Sequence, residues 1–585
     1  MRYESKDFKG LTPSVDVRKL EDLYVLSGRN YVLDVFGPKS AFGNRFLTPY
    51  PVGKSAHWQS CRLRLRTEVG GADRVFVFMA DGIYEWREDL GGWRVIYITP
   101  DTSVSPYRWS YGYLNGIMFF CHPIVGILAY DIDADLCEPL VGPGVPTQAI
   151  GLAVNNGRLI VFDDVNYYFS APGDGTDFNP RLGGAGFQVI SAVVAGFPIC
   201  VYGYAGGTIL FTTGGVMRSE FTGDSFVYRH RPLNTEFRPM NSFCALQLDD
   251  NTVAFLDERG LFQTRGEAPT PMTPLFNEFL IDYLQKYNLK VGQNVRLEWD
   301  ELKRYMYLSV SLSQSNPIYE KAFVLYPAID KWGTFDENHY GIGPLLIQDS
   351  SRGDDYFGFV DESGRVRYWD YVGSREILPL APTLNSYYPL IQTPAAKSPT
   401  GGGVVLGSSM TVNTFDDSLI TSPAGYYPND GTNPAPAELT DLDAVIQLGL
   451  IRDRENNSLD RMIEISALFI GNVLSGEADQ AGEDFNLIPD GTSDEDYNAE
   501  VGSEDFGYEV MNYINHGLRV IGTLDGHSLF LDEVPSLVQF NQAGRYFSCS
   551  VTGLWAIVEL SATQVGEAFH VKVLELTAVD AGVLN

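Results

Sequence analysis

Long apolar runs are missing from this chain. No stretch of about 18 apolar residues occurs, and the opening Met1-Arg-Tyr-Glu-Ser-Lys-Asp7 has no apolar core of the kind an export signal needs, so the expectation is a soluble protein made in the cytosol with no membrane span. Cysteine is sparse as well. The six residues Cys61, Cys121, Cys137, Cys200, Cys244 and Cys549 form no CxxC pair and several sit in apolar strand patterns, which predicts buried free thiols rather than zinc ligands or disulfides. The seven histidines make no HExxH or paired spacing, and no G-x-S-x-G elbow is present. Metal-assisted and covalent hydrolysis therefore have no sequence support, and no catalytic residue, cofactor or metal ligand is expected.

Positive charge is scarce too. Against 74 Asp and Glu stand 42 Lys and Arg, a net charge of −32. Wrapping nucleic acid runs on neutralising phosphates with Lys and Arg, so this balance argues against it. It does not exclude a conduit past which DNA slides, where a repelling wall prevents sticking. An ordinary acidic surface explains the same number.

What the chain has in quantity is 59 Gly, 32 Pro, 34 Phe and 33 Tyr, the composition of an all-β protein with many turns. Gly157-Arg-Leu-Ile-Val-Phe-Asp-Asp-Val-Asn-Tyr-Tyr-Phe-Ser170 sets the pattern: a turn, an apolar strand, an Asp-Asp turn and an aromatic strand. The same grammar returns after Asp73, Gly116, Gly207, Asn251 and Asp355. The markers are spaced by roughly 40 to 50 residues with one step about twice as long, which is the period of β-propeller blades. Strand-like stretches at Asn294–Trp299, Arg304–Ser311 and Ala322–Tyr326 fill the long step. Six or seven blades are expected over 58–375, with 1–57 packing on the propeller or closing it. One helix stands out, Thr273–Tyr287, with Thr273 as N-cap and Pro274 at the first helical position.

Residues 376–440 are rich in Pro and Gly and read as a linker or extended arm. From 441 to 585 seven strand patterns follow, several alternating as in Val571-Lys-Val-Leu-Glu-Leu576, so a β-sandwich-like domain is expected. It carries an acidic insertion at 476–505. Glu477, Asp479, Glu483, Asp484, Asp494, Glu495 and Asp496 of that run are the candidate contacts to a channel or a partner, against the plainer reading of a solvated loop.

Other motifs weaken on inspection. Pro51-Val-Gly-Lys-Ser55 ends like a phosphate loop, but Thr48 stands where the first glycine belongs. Asp131-Ile-Asp-Ala-Asp135 begins like a calcium loop, yet Leu136 and Gly142 replace the required Gly and Glu. The pairs Asp163-Asp164, Asp249-Asp250 and Asp354-Asp355 could suggest glycosidase chemistry, but they fall where hairpins turn. Arg352-Gly353-Asp354 reads as a turn. Trp299-Asp300 and Trp369-Asp370 resemble a WD dipeptide without its Gly-His partner.

Several stretches resemble the tail nozzle, or packaged-DNA stabilisation, proteins of short-tailed bacteriophages. They are Asn30-Tyr-Val-Leu-Asp34 with Gly37-Pro-Lys-Ser40, Gly157–Val161 with Ser170–Asp174 and Asp177-Phe178, Thr213-Gly-Gly-Val-Met-Arg218, and Phe569-His-Val571 with Ala581-Gly582. The resemblance implies a structural virion protein: a homohexameric ring of propeller subunits at the distal tail, assembled in the host cytoplasm. Such a ring contacts a head-to-tail adaptor and tail fibres or tailspikes. It retains packaged double-stranded DNA and later passes it without reading sequence. The acidic 476–505 insertion has no counterpart in that family. The alternative is a propeller-type tail protein that binds or hydrolyses glycans, which needs acidic and aromatic side chains converging at one mouth of the propeller.

Overall fold

The computed structural model describes residues 24–370 with short internal gaps, the longest at 64–73 and 347–354, together with strands at 2–5, 9–11 and between 444 and 583. Residues 371–443 and 473–516 fall outside the described part, and with them the seven acidic candidates from Glu477 to Asp496, the Asp354 of the third carboxylate pair, and Arg352 to Asp354.

Seven antiparallel sheets follow one another along the chain over residues 59–98, 110–139, 151–189, 198–234, 245–271, 295–335 and 339–370. Within each, strands add outward in sequence order, so every blade is a meander. The fold is all-β, a β-propeller of seven blades.

The repeat signal in the sequence is the second strand of each blade. Arg158–Phe162, Gly207–Thr212, Val253–Asp257 and Tyr305–Val310 are buried at every position. Such a strand lies between two neighbouring blades and is covered on both faces, so it reads as an unbroken apolar run. Alternate residues then serve alternate neighbours. Phe76 and Phe78 of blade 1 pack with Met118 and Phe120 of blade 2, while Val75 and Val77 pack with Val360 and Val366 of blade 7. The turns that enter these strands need left-handed backbone, and Asn115-Gly116 (φ 48° and 88°) and Asn156-Gly157 (φ 50° and 65°) supply it. Arg304 enters the second strand of blade 6 at φ 59° without a glycine.

The core is accordingly divided. Seven apolar clusters fill the seven clefts between adjacent blades, and one of them joins Trp58 and Val77 of blade 1 to Leu345 and Val360 of blade 7. The ring is closed.

Closure uses the N-terminal segment. Gly43–Pro51 pairs antiparallel with Arg365–Asp370 and supplies the outer strand of blade 7. Just before it, Tyr31–Leu33 and Pro38–Ser40 extend blade 6 to six strands. The first residues go elsewhere. Arg2–Ser5 pairs with Val571–Val583, and Tyr24–Arg29 pairs with Ala444–Ile451. One N-terminal segment thus serves two propeller blades and both C-terminal sheets.

Those C-terminal sheets hold four and six strands. Arg461–Asn472, Arg545–Gly553 and Val571–Val583 lie in the first, and Ala444–Ile451, Gly517–Leu524, His527–Val534 and Trp555–Ala562 in the second.

The helix α1 spans Pro274–Lys286 and buries Phe276, Phe279, Leu280 and Leu284 between blades 5 and 6. Pro274 stands at its first position as expected, but Thr273 makes no capping hydrogen bond. Asp330, in the turn before the fourth strand Lys331–Phe335 of blade 6, caps it instead. Its carboxylate accepts the Leu275 and Phe276 amides at 2.8 and 3.2 Å.

Candidate functional site

The inner strands of all seven blades, Gln59–Leu63, Ser110–Leu114, Gly151–Asn155, Pro198–Tyr204, Ala245–Gln247, Val295–Asp300 and His339–Leu346, surround a central cavity of about 1260 Å³. The cavity has a floor where these strands begin and a mouth where they end.

Three charged side chains build the floor. Arg296 is fully buried, and its Nε and Nη2 donate to Glu298 Oε1 at 2.9 and 2.6 Å. Arg108, immediately before the inner strand of blade 2, donates to Glu298 Oε2 at 2.9 Å and to the Leu297 carbonyl at 3.3 Å. Arg296 also donates to the carbonyls of Trp58 in blade 1 and Ile342 in blade 7. The Arg108 amide donates to Ser242 Oγ at 2.7 Å, at the start of blade 5. One carboxylate and two guanidinium groups therefore tie together four of the seven blades, and the Arg108 amide adds a fifth. Beneath them Phe243 lies under the Arg296 guanidinium at 5.6 Å and stacks on His57 at 5.9 Å. This layer blocks the axis of the propeller.

Above the floor the wall is aromatic. Tyr111 and Tyr113 of blade 2 leave 37% and 38% of their surface open, and Tyr202 of blade 4 donates its hydroxyl to the Ala245 carbonyl. Tyr111 stacks on Phe78 at 5.9 Å. Burial pushes the Tyr111 and Tyr202 phenols well above their ordinary range, so both are neutral donors.

The mouth is ringed by the turns that end the inner strands. Asn155 Nδ2 donates to the Tyr204 carbonyl at 2.8 Å and Gln247 Nε2 to the Gly203 carbonyl at 3.0 Å, which locks blades 3, 4 and 5 edge to edge. Asp249, Asp250, Asp300, Glu301 and Arg304 complete the rim.

Most sequence candidates take structural roles. Asp163 accepts the Val165 and Asn166 amides at 2.8 and 2.6 Å, and Asp249 accepts those of Asn251 and Thr252 at 2.8 Å each. Both cap their own turns. Asp163-Asp164 belongs to the turn between the second and third strands of blade 3, whereas Asp249-Asp250 sits at the cavity mouth, so the two pairs do not meet. In Asp131–Asp135, Asp131 caps the turn at 3.0 and 2.9 Å, while Asp135 pairs with Arg94 of blade 1 and receives the Tyr130 hydroxyl at 2.7 Å. Lys54 of the loop resembling a phosphate site forms an ion pair with Asp101. Trp299 ends an inner strand and Trp369 a third strand, so the two WD dipeptides are not equivalent. Among the described residues no group of three or more His, Cys, Asp or Glu is placed to hold a metal ion, and no helix is long and apolar enough to cross a membrane. Cys61, Cys121, Cys137 and Cys244 are buried free thiols, and Cys200 is half-buried and free.

The residues that sequence reasoning missed are Arg108, Tyr111, Arg296 and Glu298. Their signal was present for two of them: Val295-Arg-Leu-Glu-Trp299 places two opposite charges at alternate positions, and so on one face, of an apolar strand pattern.

No protein-family model matches the chain, and no curated protein matches its sequence. Solved structures similar to it include the extracellular domain of BT4673 from B. thetaiotaomicron, at 10% identity and TM-score 0.35 over 57% of this chain and 40% of that one. YCF48 bound to D1 peptide matches at 12% identity and TM-score 0.31, over 61% of this chain and 97% of that one. The β-propeller domain of Cps50 (Swd1) from Myceliophteria thermophila matches at 9% identity and TM-score 0.31, over 53% and 99%. The chain spans less than half of the first of these, and similarity this low does not bear on what it binds or does.

Proposed function

We propose that this chain is a structural subunit of the distal tail nozzle of a short-tailed phage, a ring that retains packaged DNA and then forms the channel for its ejection. The observation that carries the reading is the sealed propeller. Its seven blades are closed by a strand from the N-terminal segment, and its axis is blocked by Arg296, Glu298, Arg108 and Phe243. A closed block of short-edged blades suits a wall that bears load, and duplex DNA would pass between subunits around a shared axis rather than through any one propeller. A net charge of −32 favours passage over adhesion. The family resemblance in Asn30–Asp34, Gly157–Val161 and Thr213–Arg218 supports the same assignment, including the sixfold ring and its adaptor and fibre partners.

Negative-stain imaging of the purified chain, alone and mixed with an isolated head-to-tail adaptor ring, tests the proposal. Sixfold rings with a central hole wide enough for duplex DNA are expected in at least one preparation. Monomers in both would overturn it.

A further inference from the structure

The floor of the central cavity is out of charge balance. Arg108, Arg296 and Glu298 carry two positive charges and one negative, in a chain whose net charge is −32. The other titratable groups against them are neutral. His57 and His339 are each held down to about 4, first by burial and also by the Arg296 charge. Burial pushes the thiols of Cys61, Cys200 and Cys244 up, and the phenols of Tyr111, Tyr202 and Tyr319 with them. The remaining carboxylates of the cavity stand toward the mouth, where Asp249 and Asp300 cap their own turns through the Thr252 and Lys303 amides at 2.8 and 3.0 Å, and Asp250 and Glu301 are exposed. Arg304 of the rim adds further positive charge.

A buried charge without a counter-charge is costly, and a binding site is where such an imbalance persists. Arg108 faces the cavity, and Tyr111 has an open side and a hydroxyl that feels the Arg108 charge. We propose that the floor of the cavity receives a ligand oxyanion, a carboxylate or a phosphate group, held by the Arg108 guanidinium with the Tyr111 hydroxyl as second donor. A planar guanidinium and a neutral phenol match the geometry of an oxyanion, and charge-assisted hydrogen bonds of this kind are the strong ones. The volume of about 1260 Å³ lies above the roughly 300 to 1,000 Å³ of ordinary small-molecule pockets, so the anion is one end of a larger polar molecule whose other end reaches the rim. Tyr113 and the rim amides and carboxylates would then meet its hydroxyl or amine groups. The inference does not depend on the ring assembly.

The test is calorimetric titration of the full-length chain with inorganic phosphate and, separately, with glucuronate, each against chloride at matched ionic strength. Saturable binding of at least one probe is expected, and which probe binds names the anion. Arg108→Met leaves Glu298 and Arg296 as a balanced pair and is expected to abolish binding. Tyr111→Phe keeps the ring and its stacking on Phe78, is expected to weaken binding about tenfold, and carries the test should Arg108→Met fail to fold. No saturable binding of either probe by the unaltered chain would overturn the proposal. So would an affinity unchanged in Tyr111→Phe.

Discussion

Trp369, in the last propeller strand, lies opposite Asn44 in the strand that precedes the first blade. The two ends of the repeat therefore meet in one sheet. Without Gly43–Pro51, blade 7 would expose the ladder edge of Arg365–Asp370 and lose five registered pairs. At about 1 kcal/mol net per hydrogen bond, deletion of residues 1–51 is expected to cost several kcal/mol and to turn one cooperative thermal transition into a broad one. A permutant that appends residues 43–57 after residue 370 should recover the sharp transition in a scanning calorimeter. Equal melting of the deleted and intact chains would show that the strand contributes nothing to closure.

The cap of α1 is supplied at long range. Asp330→Ala removes the acceptor for the Leu275 and Phe276 amides and is expected to destabilise the protein by about 1 kcal/mol in urea titrations. Asp330→Asn should cost less, because Asn keeps an acceptor oxygen and tolerates the left-handed backbone at φ 51°. If Asn proves as damaging as Ala, the negative charge rather than the hydrogen bond is what the helix terminus requires.

These two features mark where sequence reading stops. Second strands such as Arg158–Phe162 are legible because both faces are covered, and Asn-Gly turns announce them. Blade 6 is less legible, since Arg304 rather than glycine makes its left-handed turn. The start of α1 is legible from Thr273-Pro274, but its cap comes from a turn in another blade, and no local pattern shows that. Likewise the N-terminal strands look ordinary in sequence, and their four destinations depend on pairings with residues hundreds of positions away. The carboxylate pairs are legible as turns, since Asp163 and Asp249 cap their own backbone, whereas Glu298 is inconspicuous within a strand.

Acid should loosen the propeller before carboxylates protonate. His339 is fully buried and in its neutral form, its Nδ1–H donating to the Glu337 carbonyl at 2.7 Å and its Nε2 accepting from Ser309 at 2.9 Å, an arrangement that fixes the tautomer. Burial holds it down to about 4, and His122 likewise. In the unfolded chain these rings take up protons near pH 6.5, so the unfolded state binds more protons between 6.5 and 4. Stability is thus complete above about pH 6.5 and falls as pH drops toward 4, by at most about 3 kcal/mol per ring. Urea midpoints at pH 7.5 and 5.0 measure the loss, and His339→Gln is expected to reduce it. A midpoint that stays constant over this range would contradict neutral burial of the histidines.

Glu298 is the carboxylate that joins the two guanidinium groups of the cavity floor. It accepts from Arg296 at 2.9 and 2.6 Å and from Arg108 at 2.9 Å, and its side chain is 6% exposed. Glu298→Gln keeps the shape but leaves two guanidinium groups facing one another with no counter-charge. Breaking a buried pair in this way costs about 3 to 5 kcal/mol, more than the pair itself contributes, because the residual charge stays buried. Removing one of those charges should therefore help: Arg108→Met added to Glu298→Gln is expected to restore part of the loss, although Arg108→Met alone is neutral or mildly destabilising. Guanidinium midpoints of the two single variants and the double variant form the cycle. Simple additivity would show that the unpaired Arg108 charge is not what destabilises Glu298→Gln.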